Sequence, residues 1–590
     1  MSYDGLVMSA VCAELNQELV GGRVQKVYQH GKYEISLSVY HHTAHRLFLS
    51  ADPKLARVHL TWQDHPHPER PPLFCMVLRK YLVGARLTHV RQEGLDRILY
   101  LVLTSTGELG EPVDLTLVVE VMGKHSNIIL LDKDGSIIDA IKRIGPQLSR
   151  HRSVLPGVAY TPPPAHEKIH PSDLEKKRLH EALEEHPKKS AWKTLVDLID
   201  GIGPQSARDL VERVGLNPVV TGEELGKEPV NRLLAEIRRF GSHVNGSQYT
   251  PAVIRDEKGG FAYLTPFTPC HLPDCKILTF SSMSQATETY FRQLEEHQRF
   301  SELRNSLRRA VNDHLEKSRR KERKQEITWQ RAQKADFYRL SGELLTANLH
   351  RIEKGQTLIT LPNYYDPEGR EIKIQLDPKL SPPANAQRFF HRYRKAKKTL
   401  DRVQKELRNT KAEISYLEGV EDAISRAEDL KVLEQIREEL RQEGFLGAKK
   451  TRSPRGTRQP SGLSQPWKYL SSDGFEIYAG KNNRQNDNLT MKQAKPEDLW
   501  FHTKEIPGSH VILRTEKGKP VPERSLREAA IIAAYHSKAQ NSSNVPVDYT
   551  QRRFVRKPRG ARPGFVLYDH HQTLYVTPEE EKVLRMRQGN

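Results

Sequence analysis

The chain has 590 residues, 37% of them hydrophobic, and its 93 Lys and Arg against 74 Asp and Glu give a net charge of +19. This length excludes a single hydrophobic core, and the charge favours a polyanionic partner such as nucleic acid or a membrane surface. Only four cysteines are present, which excludes a disulfide-rich secreted scaffold and favours the cytoplasm. No run of about 18 apolar residues occurs, and the first residues do not resemble a signal peptide, so no membrane partner is expected.

Motifs for metal or cofactor chemistry are sparse. The stretch CHLPDC holds Cys270, His271 and Cys275, but a zinc site needs further ligands and no second CxxC pair lies nearby. Phosphate-loop, zinc-protease and serine-hydrolase motifs are also missing from the sequence. We therefore predict no metal, no cofactor and no catalytic residue.

Residues 1–175 are predicted to form an α+β sheet domain. Helices are expected over residues 4–19 and 73–84, and runs such as EISLSVY, HRLFLSA, RILYLVLT and DLTLVVEVM are typical of strands. Mostly adjacent strands with few helices favour an α+β sheet over a doubly wound one. The Pro-rich stretch at 154–164 marks the approach to the domain boundary.

An Asp–Arg pair stands at the start of one predicted strand. In EGLDRILYLVL, Asp96 and Arg97 precede a run that is apolar on both faces, as in a rigid, doubly covered strand. On the residues alone, a surface ion pair worth about 0–1 kcal/mol explains them. The alternative is an RNA contact, since arginine can pair with phosphate and aspartate can accept from base or ribose groups.

Residues 176–270 are predicted to contain a helix-hairpin-helix. Around the segment GIGP, a glycine-rich turn joins two helices and exposes backbone N–H groups at the second helix's amino terminus. Gly201 and Gly203 are therefore candidate phosphate contacts. An ordinary hairpin of two helices with a glycine turn explains the segment equally well.

Residues 271–445 are predicted to form an antiparallel coiled-coil arm with a small tip at about 350–390. Two segments of about 60 residues, each about 90 Å long as helix, flank an insert with the strands and turns of a hairpin. The second segment keeps heptad spacing at Leu400, Val403, Leu407, Ile414 and Leu417, with Thr410 as the weak position.

Cations alternate with aromatic residues just after the insert, in RFFHRYRKAKK. This mixture suits RNA or an acidic protein surface, with rings stacking on bases. The alternative is that Phe389, Phe390 and Tyr393 simply pack on the tip. The candidate contacts to RNA or an acidic protein are Arg388, Arg392, Arg394 and Lys395.

A basic linker over residues 446–465 precedes a last domain over 466–575. That domain opens with a hairpin signal whose turns are at Asp473-Gly474 and Gly480-Lys481, and it contains a helix in PERSLREAAIIAAYHSKA. Near its end, YTQRRFVRKPRGARPGFVLY is dense in cations and predicts a phosphate clamp. The candidate residues are Arg552, Arg553, Arg556 and Lys557.

Several long strings resemble one family across nearly the whole chain: the NFACT proteins, which include bacterial RqcH and eukaryotic NEMF and were historically called fibronectin-binding proteins. The amino-terminal strings are SYDGLVM, LFCMVLRKYLVGARL, GLDRILYL and EVMGKHSNIILLD, and the carboxy-terminal string is DLWFHTKEIPGSHVIL. The resemblance implies a multidomain α+β protein whose last domain is of an RNA-binding type.

The resemblance also implies a cytoplasmic, ribosome-associated quality control factor. Such proteins bind large (50S) ribosomal subunits obstructed by peptidyl-tRNA, touching ribosomal RNA and the ribosomal protein of the stalk base. They recruit alanine tRNA for mRNA-independent alanine tailing of the stalled chain, which marks it for degradation. The ribosome's peptidyl transferase centre makes the bond, so the resemblance implies no enzyme.

The family's tRNA-handling positions fall on a small set of residues in the first domain. They are Asp4, Asp96, Arg97, Glu120, Met122, Lys124, His125 and Asn127. For His125 and Asn127 the alternative is a turn that satisfies its own backbone.

The sequence leaves two other classes of function open. A fibronectin-binding surface adhesin would need an unusual export route, since no signal peptide, membrane span or wall anchor is visible. A DNA glycosylase-like protein is the other alternative, but such enzymes act through an amino-terminal proline and glutamate, and this chain begins Met1-Ser2-Tyr3.

Overall fold

A computed structural model describes the chain apart from residues 1–2, 108–109, 148, 150, 165–166, 257–259, 270–275, 369, 448–463, 516–518 and 589–590. It divides into two compact units, residues 1–297 and 298–590. The fold is a mixed α+β, multidomain one with a sheet in each unit and a long helix between the sheets in sequence, which confirms the predicted class. The candidate ligands Cys270, His271 and Cys275 and most of the basic linker lie outside the described residues.

The first unit is built on a nine-stranded antiparallel sheet in the order β4-β3-β2-β1-β5-β6-β7-β8-β9. Its strands are β1 (Arg23–Gln29), β2 (Glu34–His41), β3 (Thr43–Ser50), β4 (Arg57–Leu60), β5 (Arg86–Gln92), β6 (Ile98–Thr106), β7 (Pro112–Glu120), β8 (Asn127–Leu131) and β9 (Ile137–Ala140). Helices α1 (Gly5–Leu19) and α2 (Leu73–Leu82) contribute to its main core.

Strand β6 is covered on both faces, as its sequence predicted. Leu99 and Leu101 join the core that contains α1 and α2, whereas Ile98 and Tyr100 join a second cluster with Val118 of β7. Since both faces are buried, the residues just before β6 are attached to a stiff scaffold.

A helical subdomain and a small sheet complete the first unit. The helices are α3 (Lys176–Glu185), α4 (Ala191–Leu198), α5 (Pro204–Arg213) and α6 (Lys227–Asn245), which share one core. The strands β10 (Ala252–Arg255), β11 (Phe261–Thr265) and β12 (Lys276–Thr279) form a sheet in the order β11-β10-β12.

Long helices begin with α7 (Met283–Ala332), which contains the boundary between the units. In the second unit they continue with α8 (Ala335–Ala347), the hairpin strands β13 (Leu358–Pro362) and β14 (Glu371–Gln375), and α9 (Pro382–Arg426) and α10 (Leu430–Gln442). Helices α7 and α9 run antiparallel: the Arg304 side chain donates to the Ser425 carbonyl at 2.6 Å, and the Ser318 hydroxyl to Glu413 at 2.7 Å.

Each predicted 60-residue helix is in fact broken in two, which corrects the sequence interpretation. The first is interrupted at Gln333–Lys334, after which α8 packs Leu344 and Leu345 into a core shared with the hairpin and Phe389 of α9. The second ends at Arg426. There Asp429 accepts the Val432 N–H at 2.8 Å, which caps a new helix.

The last part of the second unit is a six-stranded antiparallel sheet in the order β15-β16-β18-β17-β19-β22. Its strands are β15 (Trp467–Leu470), β16 (Glu476–Ala479), β17 (Leu499–Thr503), β18 (Val511–Leu513), β19 (Val545–Gln551) and β22 (Gln572–Val576), with the pair β20 (Val555–Arg556) and β21 (Leu567–Tyr568) beside it. Helices α11 (Asn483–Asn488), α12 (Glu523–Tyr535) and α13 (Glu580–Met586) complete this part. The turn at Asp473-Gly474 lies in the β15–β16 connection as predicted, but after Gly480-Lys481 the chain enters α11, capped by Asn482, instead of another strand.

Candidate nucleic-acid interface

Asp4 lies at the amino terminus of α1 and joins this helix to the α4–α5 hairpin. Its carboxylate accepts the Val7 N–H at 3.0 Å, the Gly203 N–H at 3.1 Å and the Ser206 hydroxyl at 2.7 Å. Burial raises the pKa of Asp4, while these three donors and the nearby Arg97 act in the opposite direction. The carboxylate is therefore an internal anchor of α1 and α5, located near Arg97.

The glycine turn predicted to bind phosphate packs against the start of α1. The Leu6 N–H donates to the Gly201 carbonyl at 3.1 Å, and Gly201 has a φ of +76° that favours glycine. A phosphate at the Gly203 N–H would have to displace the Asp4 carboxylate, which already occupies that donor. The phosphate contacts of Gly201 and Gly203 stay predictions.

Asp96 and Arg97 occupy a turn immediately before β6. The Leu95 N–H donates to the Asp200 carboxylate at 2.8 Å, and the Gln92 amide donates to the Asp96 carbonyl at 2.7 Å, so the turn is held from two sides. The Asp96 carboxylate accepts the backbone N–H of Arg97 at 2.7 Å. Within the described chain the two side chains form no ion pair with each other, and both are partly exposed. The surface ion pair considered from the sequence is therefore not formed.

The loop after β7 starts beside this turn. The Val121 N–H donates to the Arg97 carbonyl at 2.9 Å, and Ile98 is paired with Glu120 across the two strands. Lys124 and His125 are exposed at the tip of the loop.

Glu120 is fully buried, below the exposed loop tip. Its carboxylate accepts both terminal nitrogens of Arg152 at 2.5 Å and the Tyr160 hydroxyl at 2.9 Å. Desolvation and the negative charge of Glu120 raise the pKa of the Tyr160 hydroxyl, which keeps it protonated as a donor. In this arrangement Arg152 and Tyr160 occupy both oxygens of the Glu120 carboxylate, and its contact with tRNA stays a prediction.

Asn127 is also fully buried, and its side chain bonds the loop to Lys142, which lies just after β9. Its amide donates to the Lys142 carbonyl at 2.9 Å, and its side-chain oxygen accepts the N–H groups of Lys142 and Ile128 at 3.0 Å each. Met122 is partly buried, and its N–H donates to the Ser126 hydroxyl at 2.8 Å. Asn127 and Met122 therefore shape the loop that presents the exposed tip.

The cations at the start of α9 differ in how far they are engaged. Arg388 pairs with Asp377 at 2.9 Å, whereas Arg392, Arg394 and Lys395 are exposed. Phe389 is 4% exposed, so its ring belongs to the core of the tip, as the structural alternative expected.

The cations near β20 likewise divide into two classes. Arg552 donates to the carbonyls of Thr490 and Met491 at 2.8 and 3.2 Å, and Lys557 pairs with Asp487. Arg553 and Arg556 are exposed; the first covers the Phe554 ring, and the second lies 3.5 Å from Asp569 in an exposed pair.

The structure links four segments that are far apart in sequence. Asp4 is bonded to the hairpin at 201–203, Asp200 before that hairpin is bonded to the turn of Asp96-Arg97, and this turn is bonded to the start of the loop that carries Lys124 and His125. Sequence reasoning missed the residues that hold them, Asp200, Ser206, Arg152 and Tyr160. Asp200 precedes the glycine turn directly, which is a usable signal, but no sequence pattern relates Arg152 to Glu120, 32 residues earlier.

Neither a cluster of metal ligands nor a membrane-spanning helix occurs in the part of the chain that the structure describes. No group of three or more His, Cys, Asp or Glu side chains there is arranged to hold a metal ion. In that same part, no helix is both long enough and apolar enough to cross a membrane.

Comparison with known proteins covers nearly the whole chain. Residues 4–459 match the NFACT N-terminal and middle domains, and residues 466–567 match the NFACT protein RNA binding domain. RqcH of Bacillus subtilis, described as an Rqc2 homolog, is 37% identical, with 100% of both chains covered. Mouse NEMF, described as a ribosome quality control complex subunit, is 21% identical over 90% of this chain and 56% of its own.

Among solved structures, the carboxy-terminal part of a fibronectin/fibrinogen-binding protein from Streptococcus suis is 35% identical. It covers 49% of this chain and 99% of its own, with a TM-score of 0.38. The two family models and the full-length relative together leave little of the sequence unmatched. The chain belongs to the NFACT family.

Proposed function

We propose that this chain is a ribosome quality control factor. It binds large ribosomal subunits that carry a stalled peptidyl-tRNA and recruits alanine tRNA, so that alanine residues are added without mRNA. The ribosome's peptidyl transferase centre forms the bond, and this chain positions the tRNA. The names of its relatives RqcH and NEMF and its matched RNA-binding domain support this proposal.

One arrangement carries the tRNA part of the proposal: exposed polar side chains at one end of a rigid sheet. Asp96 and Arg97 are partly exposed and Lys124 and His125 fully so, at the adjoining ends of β6 and β7. Because β6 is buried on both faces, these side chains have a fixed base, which suits recognition of a folded RNA.

Each exposed side chain has a chemical role in this proposal. The Arg97 guanidinium pairs bidentately with a phosphate or a base edge, and Asp96 accepts from base amino or ribose hydroxyl groups. Lys124 and His125 meet the phosphate backbone. Glu120, Met122 and Asn127, which contact only protein groups, hold this loop in place.

In this proposal the long helices carry basic side chains to a distant contact on the ribosomal subunit. At 1.5 Å per residue, the 45 residues of α9 extend about 68 Å. We assign Arg392, Arg394 and Lys395 to ribosomal RNA or protein at the stalk base, because they are exposed and positively charged. Arg388 is held by Asp377 and orients this helix start.

The last domain supplies a second basic surface. Arg553 and Arg556 are its exposed candidates for ribosomal RNA, while Arg552 and Lys557 are held by internal partners and shape the surface. The proposed parts of the chain are a sheet domain (1–175), a helix-hairpin-helix domain (176–270), a coiled-coil arm (271–445), a linker (446–465) and an RNA-binding domain (466–575).

Sequencing the RNA that co-purifies with the full chain tests this function. We expect enrichment of alanine tRNA and large-subunit ribosomal RNA, and loss of the tRNA alone from the variant Asp96→Ala/Arg97→Ala. The matched control is Lys133→Ala/Asp134→Ala, which removes an exposed pair of opposite charges from another turn of the same sheet. Recovery of neither RNA class with the unmodified chain would contradict the proposal.

A further inference from the structure

A cavity of about 540 Å³ opens on the first unit, away in sequence from the residues considered above. Tyr28 of β1 and His30, which directly follows this strand, line one side. Arg46 of β3 lines another, and the segment 64–67 between β4 and α2 lines the rest. This volume lies within the range of about 300–1,000 Å³ that is usual for small-ligand sites.

Flat rings make up much of the cavity wall. The Tyr28 and His67 rings are stacked at 4.8 Å between centroids with 22° between their planes. His65 is stacked on the buried Phe48 at 4.6 Å and lies 5.3 Å from His30. Such faces suit a planar aromatic ligand. Any of the four nucleobases can stack on them, because every base has a π-face.

Burial favours the neutral form of two imidazoles of the wall, those of His30 and His65. Burial lowers the pKa of His30 to about 4 and also lowers the pKa of His65. His30 is held in place by the Ser36 hydroxyl at 2.8 Å. The other ring nitrogen of His30 lies 3.3 Å from the Pro66 carbonyl, so both its nitrogens are engaged inside the protein. A neutral imidazole carries one donor and one acceptor, so His65 can bond to the edge of a base.

Arg46 links this cavity to a second one of about 260 Å³, which Trp62 and His45 also line. The Trp62 side chain is 60% exposed, and the Arg46 guanidinium is partly exposed where it lies 2.8 Å from Asp64. Arg46 therefore lies between a ring-lined cavity and the exposed indole of Trp62. This arrangement suits a phosphate that joins two unstacked bases.

We propose that these two cavities form a binding site for two successive nucleotides of single-stranded RNA. One base enters the cavity walled by Tyr28, His65 and His67, the other stacks on Trp62, and Arg46 meets the phosphate between them. This site is separate from the proposed tRNA contacts at Asp96 and Arg97 and does not depend on them.

Photocrosslinking with the full chain tests the site directly. The probe is a fluorescein-labelled hexaribonucleotide of mixed sequence containing 4-thiouridine, and the crosslinked peptides are mapped by mass spectrometry. We expect crosslinks within residues 28–30 or 62–67. Crosslinks confined to other parts of the chain would overturn the proposal.

Affinity of the same hexamer, measured by anisotropy, gives a second readout. Trp62→Ala/His67→Ala is expected to weaken binding about tenfold or more, from the loss of two stacking faces. His89→Ala is the matched control, since His89 is an exposed histidine on β5 of the same sheet. Equal affinity of the double variant and wild type, with equal melting temperatures, would overturn the proposal. Stoichiometric zinc binding that His67→Ala abolishes, without an effect on RNA, would also overturn it.

Discussion

At the scale of single residues, burial in the loop after β7 distinguishes the side chains that are free to contact RNA from those that support the loop. Glu120 and Asn127 lie at its ends with their polar atoms bonded inside the protein, whereas Lys124 and His125 are exposed between them. Residues that fall together in one sequence motif therefore have different physical roles. Substitutions in this loop should divide into those that cost stability and those that cost only RNA affinity.

Glu120→Ala is expected to destabilise the first unit by about 3–5 kcal/mol, because it leaves the largely buried Arg152 guanidinium without a counter-charge and with the Thr161 carbonyl as its remaining acceptor. Lys124→Ala is expected to change stability by less than about 0.5 kcal/mol, since its side chain is exposed. Urea unfolding followed by circular dichroism measures both. Equal stability of the two variants would show that the buried pair is not a structural support.

At the scale of elements, the predicted RNA-binding turn depends on a close junction of three segments. A Cβ on Gly5 would lie 1.8 Å from the Leu95 carbonyl oxygen and 2.5 Å from the Gly201 Cα, so α1, the turn before β6 and the α4–α5 hairpin meet without room for a side chain. Helix α1 and the hairpin could both be predicted locally. Their junction could not, because it joins residues about 200 positions apart.

Gly201→Ala and Gly215→Ala together test this junction. Both glycines have a φ near +77°, but a Cβ on Gly201 would lie 2.6 Å from the Leu95 side chain, and one on Gly215 meets open space. Gly215→Ala is expected to cost about 1 kcal/mol for the backbone conformation alone. Gly201→Ala should cost at least about 2 kcal/mol more, from the crowding of Leu95. Equal melting temperatures of the two variants would contradict the close packing.

Two opposite substitutions in α9, Thr410→Val and Val403→Thr, test the predicted heptad seam, in which Thr410 is the weak position. Thr410 is 1% exposed, and its hydroxyl donates to the Glu406 carbonyl of the same helix at 3.0 Å. Thr410→Val is expected to preserve or raise stability by up to about 1 kcal/mol, because it replaces by a methyl group a buried hydroxyl whose bond lies within its own helix. Val403→Thr, at a position 2% exposed, should lower stability by about 1–3 kcal/mol. Thermal unfolding of the full chain measures both changes in stability. A loss of stability in Thr410→Val together with a gain in Val403→Thr would contradict the predicted seam.

At the scale of the whole molecule, much of the architecture was predictable from the sequence, and the assembled site was not. The alternation in β6 and the heptad spacing around Val403 are local signals. Strand β6 is largely buried, whereas in α9 the heptad positions Val403, Thr410 and Leu417 are buried and Leu400, Leu407 and Ile414 are only partly so. The breaks at Gln333–Lys334 and before Asp429 depend on tertiary packing and capping, which periodicity does not report. Likewise, the motif around Glu120 is recognisable in the sequence. The burial of the Glu120 carboxylate against Arg152 is not, because the two residues meet only in the folded chain.

Charge of the whole chain sets a further expectation. With a net charge of +19 and exposed cations at Arg392, Arg394, Arg553 and Arg556, binding to large ribosomal subunits should weaken steeply as salt rises. Arg392→Ala/Arg394→Ala should reduce the slope of log affinity against log salt by about 1–2, through loss of phosphate contacts. Sedimentation binding across a salt series measures this. A flat response would contradict the assignment of these surfaces to RNA.

We propose above all that the turn before β6 holds tRNA during alanine tailing. The most direct measurement is the extent of tailing on obstructed large subunits supplied with alanyl-tRNA and either the unmodified chain or Asp96→Ala/Arg97→Ala. We expect the variant to lose tailing while it still sediments with the subunits, and the control Lys133→Ala/Asp134→Ala to retain both. Tailing that persists in the Asp96→Ala/Arg97→Ala variant would contradict the role assigned to this pair.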